Sequence, residues 1–541
     1  MYFKNSFFFI FEIGSYLKQQ LKTIYLQSSL YDKKISKKES GSFIYRPTLS
    51  ILSCLVKYDK PRNKIEELDT SSIWDKKKIN SRNYKKLHSF FWLFTIDLKS
   101  SNKIVQSVIE KWIKNYIKYH KKNWDIDILS KRVISWISNS KLTYQESTSS
   151  YKEQFDHIIN KQINHLINEI NNSKTVDDKM LGCTAIIMGG LSYNNDRFLN
   201  YGQSLLKKII DSSFDSNYFP KSRSIRQLMF YLKYFVLIRE ILKESLKEIP
   251  EFLNEIIFYL GKSYNLLISH DNSLLFNGNH DSDIKDFNKY LSLYKYKFKN
   301  AGNEAGGYVL LENKNSIICM DIGSTPNKKF SDNYQSGVHS FEFIFKGEKL
   351  ICNSGYFQDY KNKLNLISKS TAAHSTLIID NKSACSFKNK NIGQSFINSV
   401  FKTSDKKIIS ENNFWSIQSS HDGYLKNYGI LHQRILNFYH ESFKLKGEDR
   451  LLKKNNFKSS PFEIRFHFLP EVKLTKTQDN KTVFIELKNS GWRFFSEDGS
   501  ITVETGLYFG NKNTFNENQN ICISGISQKE DQEIKWEFNK I

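Results

Sequence analysis

The chain has 541 residues, 39% of them hydrophobic and 14% aromatic, with only 7 prolines and 24 glycines. It is too long for one ordinary core and too apolar for a disordered or fibrous chain, so two large packed domains are expected. A formal net charge of +24 suits polyanionic partners, although the lysines are scattered and equally describe an evenly charged surface.

The N-terminus carries Phe7-Phe8-Phe9-Ile10-Phe11, broken by Glu12. The run is too short to cross a bilayer, and no small-residue cleavage site follows it. Ile13, Leu17, Leu21 and Ile24 then fall at helical spacing with Lys18 and Lys22 between them. This predicts an amphipathic helix packed on the body in preference to a membrane anchor. Residues 1–70 read as a mixed, Lys- and Ser-rich lead-in, with a loop over Lys33–Ser42. No transmembrane segment is expected, and the compartment stays open.

Residues 71–300 read as a helical domain. Phe155, Ile159, Ile163, Leu166 and Ile170 paint one apolar face, and Leu228 to Leu242 is apolar almost all round, as a helix buried on most sides would be. Pro250 opens a further helix with Phe252, Ile256, Ile257 and Leu260. A series of such helices without strand signals suggests a toroid or bundle. The pattern changes at the Gly/Asn-rich loop from Asn300 to Gly307. Residues 301–541 then show short alternating runs, with Phe341, Phe343 and Phe345 on one face and Glu342 and Ile344 on the other. They read as an antiparallel β-sandwich of many strands. The six cysteines form no C-x-x-C pair, so zinc-finger spacing is absent. Those in apolar runs, such as Cys319, read as small buried hydrophobes.

Within the β-half, Ser340-Phe341-Glu342-Phe343 runs to Cys352-Asn353-Ser354-Gly355, and Ser370-Thr371-Ala372-Ala373-His374-Ser375-Thr376-Leu377 follows. These stretches resemble the C-terminal domain of the heparinase II/III-like polysaccharide lyases. The order of further segments fits as well: Leu87 to Leu93, Trp124 to Ile137, His421-Asp422-Gly423-Tyr424, His432-Gln433-Arg434 leading to Gly447-Glu448-Asp449-Arg450, and Ser490 to Phe494. The resemblance covers most of the chain from about residue 85. It implies an incomplete (α/α) toroid followed by an antiparallel β-sandwich, acidic polysaccharide as partner, β-elimination on a uronate chain as the reaction, and the cell envelope as a place of work.

That reaction needs the uronate carboxylate neutralised, a base for its α-proton and an acid for the leaving oxygen. By resemblance, an Asn-His pair belongs near Asp177-Asp178, and two carboxylates there would repel a uronate. Gln227 stands where a tyrosine is expected. Gln335 and Gly337 occupy the places of a histidine and a metal ligand, and Asn353 that of an aspartate ligand. Only His374 remains of the metal set, too few donors for zinc, so no metal and no cofactor are expected. Tyr360 and His374 are the candidate catalytic residues. Lys221, Arg223, Arg226, Gln335, His339, His421 and Tyr424 are the candidate substrate-binding set, with Arg able to grip a carboxylate or sulfate through its fork.

Each has a structural reading beside the functional one. His374 also reads as a strand-end histidine bonded to backbone, Tyr360 as a sheet-edge aromatic, and Lys221–Arg226 as a solvated helix start. Two functions follow, a lyase with a rebuilt site or a catalytically degenerate glycan-binding or structural protein that keeps the lyase fold. Nucleic acid is not an expected partner, because no recognisable module accompanies the charge.

Overall fold

In the computed structural model, described over residues 17–37, 41–55, 62–67, 73–74, 81–173, 175–268, 274–279, 284–299, 302–389, 395–511 and 514–541, helices run as far as Leu293 and strands follow from Glu304. The chain divides into two compact units, one of residues 1–212 with 233–257 and the other of 213–232 with 258–541. The change of secondary structure near residue 300 and the limits of the compact units therefore fall at different places.

In the first unit the apolar stripe of the helix Ser149–Glu169 is buried as its spacing requires, with Phe155, Ile159, Ile163 and Leu166 fully enclosed. The helix Val176–Ser192 begins on Thr175, whose side chain accepts from the Asp178 N–H. Asp177 and Asp178 lie in its first turn, where the exposed N–H groups and macrodipole favour negative charge. Arg132 is wholly buried, donating to the Gln162 side chain and to the carbonyls of His88 and Asn123, with its guanidinium 4.2 Å from the Trp112 ring centre.

Residues 17–27 are helical, but Leu17, Leu21 and Ile24 are 54%, 67% and 63% exposed. The predicted apolar stripe is therefore not packed down. Leu26, with Tyr31 and Ile35 of the following helix Ser29–Ile35, turns inward instead. Phe7–Phe11 and Ile13 lie outside the described residues. No described helix is long and apolar enough to cross a membrane. All six cysteines are buried thiols outside any disulfide.

The second unit is built on antiparallel sheets. One has five strands in sequential order, including Ser316–Asp321, Phe341–Phe345 and Glu348–Ile351. An eight-stranded sheet includes, as neighbours, Gln532–Lys540, Lys444–Lys453, Ile430–Tyr439, Phe414–His421 and Thr403–Ser410. A four-stranded sheet contains Pro461–His467 beside Leu377–Ile379. One hydrophobic cluster draws on all three, with Phe341, Phe343, Phe345, Phe438, Phe466, Trp492 and Trp536 among its large members. The expected alternation of Phe341–Phe345 is masked because every residue of that strand is buried. Its polar member, Glu342, pairs with Lys349 at 2.9 Å.

Candidate functional site

Gln335 and Asn353, two of the β-half positions tied by resemblance to chemistry, are enclosed and fully engaged. Gln335 accepts from the Gly278 N–H through Oε1 at 2.9 Å, and its Nε2 donates to the carbonyls of Gly355 and Ser368 at 3.0 and 2.6 Å. Asn353 donates from Nδ2 to Glu342 Oε1 at 3.2 Å, and its Oδ1 accepts from the Ser375 N–H at 3.0 Å. Glu342 Oε1 also accepts from the backbone N–H of Leu275. A Cβ on Gly337 would lie 2.5 Å from His374 Cδ2, so no ligand-bearing side chain fits there beside that ring. His374 Nδ1 is bonded to the Ser370 carbonyl at 2.8 Å, and Nε2 is buried without a partner among the described residues. Burial holds its imidazole down to about 4, hence neutral. One free imidazole nitrogen beside a spent amide does not make the zinc site that the resemblance implies.

Of the other sequence candidates, Tyr424 lies against His421, with ring centres 5.6 Å apart, while Tyr360 stands apart on the surface. Tyr360 is 40% exposed, ahead of the helix Lys363–Lys369. Tyr424 is buried, with its hydroxyl on the Leu377 carbonyl at 3.1 Å. Arg223 is buried and saturated. It meets Asp321 at 2.5 Å and donates to the carbonyls of Gly306, Gly307, Gly323 and Ser324. Burial pushes the Asp321 carboxyl up against the pull of that guanidinium. Lys221 and Arg226 are only partly buried.

Arg223 also forms part of the wall of a cleft of about 720 Å³, lined as well by Asp215, Tyr259, Lys262, Glu304 and Lys406, with Gly306, Gly307 and Gly323 among its backbone lining. Tyr259 is 40% exposed and stacks on Tyr218, with ring centres 5.2 Å apart and planes 12° from parallel. Lys262 sits 5.4 Å from the Tyr259 ring centre, and Lys406 pairs with Glu304 at 3.3 Å. Gly323 is required by close approach, since a Cβ there would meet Arg223 Nη2 at 2.2 Å. Gly323→Ala is expected to dislodge Arg223 from Asp321 and cost about 2–4 kcal/mol. A thermal unfolding midpoint equal to the wild type would show that the guanidinium has another seat.

A second polar group lies deep between strands. His421 and His432 are direct cross-strand partners, with His421 Nε2 3.0 Å from His432 Nδ1. His432 Nε2 is 2.7 Å from Asp449 Oδ1. Asp449 is also held by Arg434 through both oxygens, at 2.7 and 2.9 Å, and by the Trp536 indole N–H at 2.9 Å. Arg434 and Asp449 face each other across neighbouring strands. His339 lies against both imidazoles, with ring centres 4.7 and 5.0 Å away. The sequence candidates His339 and His421 are thus brought together, and His432 and Asp449 complete a group that the sequence reading did not assemble. The run His432-Gln433-Arg434 before Gly447-Glu448-Asp449-Arg450 is the signal in the sequence that points to it.

Helices followed by antiparallel sheets define a two-part fold that comparison with known proteins identifies. The heparan sulfate lyase HepC from Pedobacter heparinus superposes with a TM-score of 0.63 at 14% identity, over 94% of this chain and 87% of that one. A structure of heparinase III gives 0.69 at 13%, over 94% and 88%. The fold is thus the incomplete (α/α) toroid followed by an antiparallel β-sandwich. Residues 300–537 match the family model described as Heparinase II/III-like, C-terminal, so this part of the chain is a heparinase II/III-like C-terminal domain. FtsZ-localized protein C of Caulobacter vibrioides is 22% identical over 253 residues. That match takes in 44% of this chain and 43% of the relative, so the chain spans less than half the length of the curated protein it resembles.

Proposed function

We propose that this protein is a glycan-binding member of the heparinase II/III-like family that does not carry out β-elimination. The observation that carries the reading is the state of Gln335, Gly337 and Asn353. Where proton transfer and metal ligation are expected by resemblance, there are neutral groups whose donors and acceptors are consumed by the surrounding core. A glutamine amide exchanges no proton at neutral pH. His374 is closed off from solvent, and Tyr360 stands on the surface.

Binding falls to the open cleft. The Tyr218–Tyr259 stack offers an apolar ring face to a sugar, as aromatic side chains do when one face stays wet. Lys262 brings positive charge to an acidic chain, and the Lys406–Glu304 pair at 3.3 Å can open to offer a cation to that chain and an acceptor to its hydroxyls. The excess of basic residues over the whole sequence raises the encounter rate with such polymers.

The test is a panel of heparan sulfate, chondroitin sulfate and alginate, followed by the ultraviolet absorbance of the unsaturated uronate product and, separately, by affinity electrophoresis. We expect no rise in absorbance and a retarded band with at least one polymer. Tyr259→Ala is expected to weaken that binding about tenfold, or ~1.4 kcal/mol, with little change in stability. Accumulation of unsaturated product would overturn the reading in favour of a lyase. Unchanged retardation in the variant would move the binding site elsewhere.

A further inference from the structure

We propose that His339, His421 and His432 hold a divalent transition-metal ion of the borderline class that includes zinc, fastening the five-stranded sheet to the eight-stranded one. The site differs in place and residues from the one the family resemblance implies. One ring nitrogen of each histidine lies within 4.8 Å of the others, and all three residues are buried. Imidazole is the donor that suits zinc and its neighbours in the transition series.

His339 makes the case most directly. Both of its ring nitrogens are buried with no partner among the described residues, a condition native interiors rarely tolerate without an ion or water. Its backbone adopts φ +61, in the left-handed region, and is fixed there from both sides. Its N–H donates to the Asp321 carbonyl at 2.8 Å, and its carbonyl accepts from Arg434 Nη1 at 2.9 Å. A sparsely populated conformation kept by surrounding bonds marks a constrained position, and here it lies at the start of the strand Phe341–Phe345. His432 supplies the second argument. Asp449 takes its Nε2–H, which leaves Nδ1 as a lone pair facing the cluster, the carboxylate–histidine arrangement found behind metal ligands.

The metal-free alternative is a chain of hydrogen bonds. The Gly423 N–H donates to His421 Nδ1 at 3.1 Å, His421 Nε2–H would donate to His432 Nδ1, and His432 to Asp449. That chain satisfies two rings and leaves the third wholly unpaired. Binding an ion through His421 Nε2 moves its proton to Nδ1 with no net release, and the Gly423 contact is exchanged for three metal–nitrogen bonds. Zinc–nitrogen bonds of about 2.0–2.1 Å place tetrahedral ligands about 3.3 Å apart. The His421–His432 pair at 3.0 Å is close to that spacing, and His339 closes the triangle by a shift of roughly 1–2 Å on the same geometry. With no ligand open to solvent, the ion would be captured during folding and exchange slowly.

The full chain is made in zinc-supplemented medium, purified without chelator and analysed for metals. About one zinc per chain is expected, and a wild type with no metal above the buffer blank overturns the proposal. Refolding with Co²⁺ is expected to give the visible d–d bands of a four-coordinate ion held by three imidazoles with one water as the fourth ligand, and a spectrum matching free Co²⁺ counts against it. His339→Asn, which tolerates the left-handed backbone, is expected to lose the metal. His374→Asn is expected to keep it. The reverse result would place the ion at the family position and overturn this assignment. If His339→Asn does not fold, the wild-type metal content and the His374→Asn result still decide the question.

Discussion

Acidification from pH 6.5 to 4 is expected to unfold the protein progressively, because both compact units bury imidazoles that stay neutral. Burial takes His88 and His165 in one unit down to about 3. In the other it takes His467 to about 3 and His374 to about 4. In the unfolded chain these rings take a proton near 6.5. Between the two values the unfolded state binds more protons, so stability is full above that window and falls as pH drops through it. Each such ring removes about 1.4 kcal/mol per pH unit, or roughly 3 kcal/mol per unit of pH for a body holding two. Urea unfolding midpoints at pH 7, 6 and 5 should fall steadily. A level series would mean that these histidines are protonated in the folded state.

Asp449→Ala is expected to destabilise the β-rich unit by about 3–5 kcal/mol, since it strands the buried Arg434 guanidinium without its counter-charge. It also removes the acceptor for the His432 ring and the Trp536 indole. The guanidinium lies 5.7 Å from the ring centres of both Phe341 and Trp536, which cannot replace a carboxylate. Replacing both partners by apolar residues, Arg434→Met with Asp449→Leu, should recover part of the loss, because the desolvated charge goes with its partner. Chemical denaturation measures both. A single variant within ~1 kcal/mol of the wild type would show that water reaches the pair. The native Asp449 carboxyl lies well below its ordinary value, drawn down by Arg434 against the cost of burial. Its contribution is therefore present above the usual carboxylate range and lost below it, which adds to the acid instability at the lowest pH.

Periodicity made the helical half legible. Phe155, Ile159 and Ile163 lie one turn apart, and a helix has only one way to bury them together. The change to strands was legible for the same reason. The site was harder, because its members meet through sheet pairing rather than local spacing. His421 and His432 are 11 residues apart, and the short helix Leu425–Tyr428 between their strands conceals their register. His339 reaches them from a different sheet. Arg223 and Arg226 stood out as a basic cluster, yet sequence carries no sign that Asp321, nearly 100 residues on, neutralises Arg223. Leu17, Leu21 and Ile24 show the opposite failure, an apolar stripe with the right spacing that the described residues leave uncovered.

The bonds that residues 213–232 and 258–300 make within the second unit bear on where this chain can be cut for expression. A fragment begun at residue 301, where strand-like sequence starts, would leave the Asp321 carboxylate without Arg223. It would also take the Gly278 N–H from Gln335 and the Leu275 N–H from Glu342. Tyr308 would lose the Arg223 carbonyl its hydroxyl donates to at 2.8 Å. Those vacated partners are buried, and each would have to find water in a packed interior. A fragment cut at the boundary of the family match is therefore expected to fold poorly, whereas one begun before residue 213 keeps these four contacts.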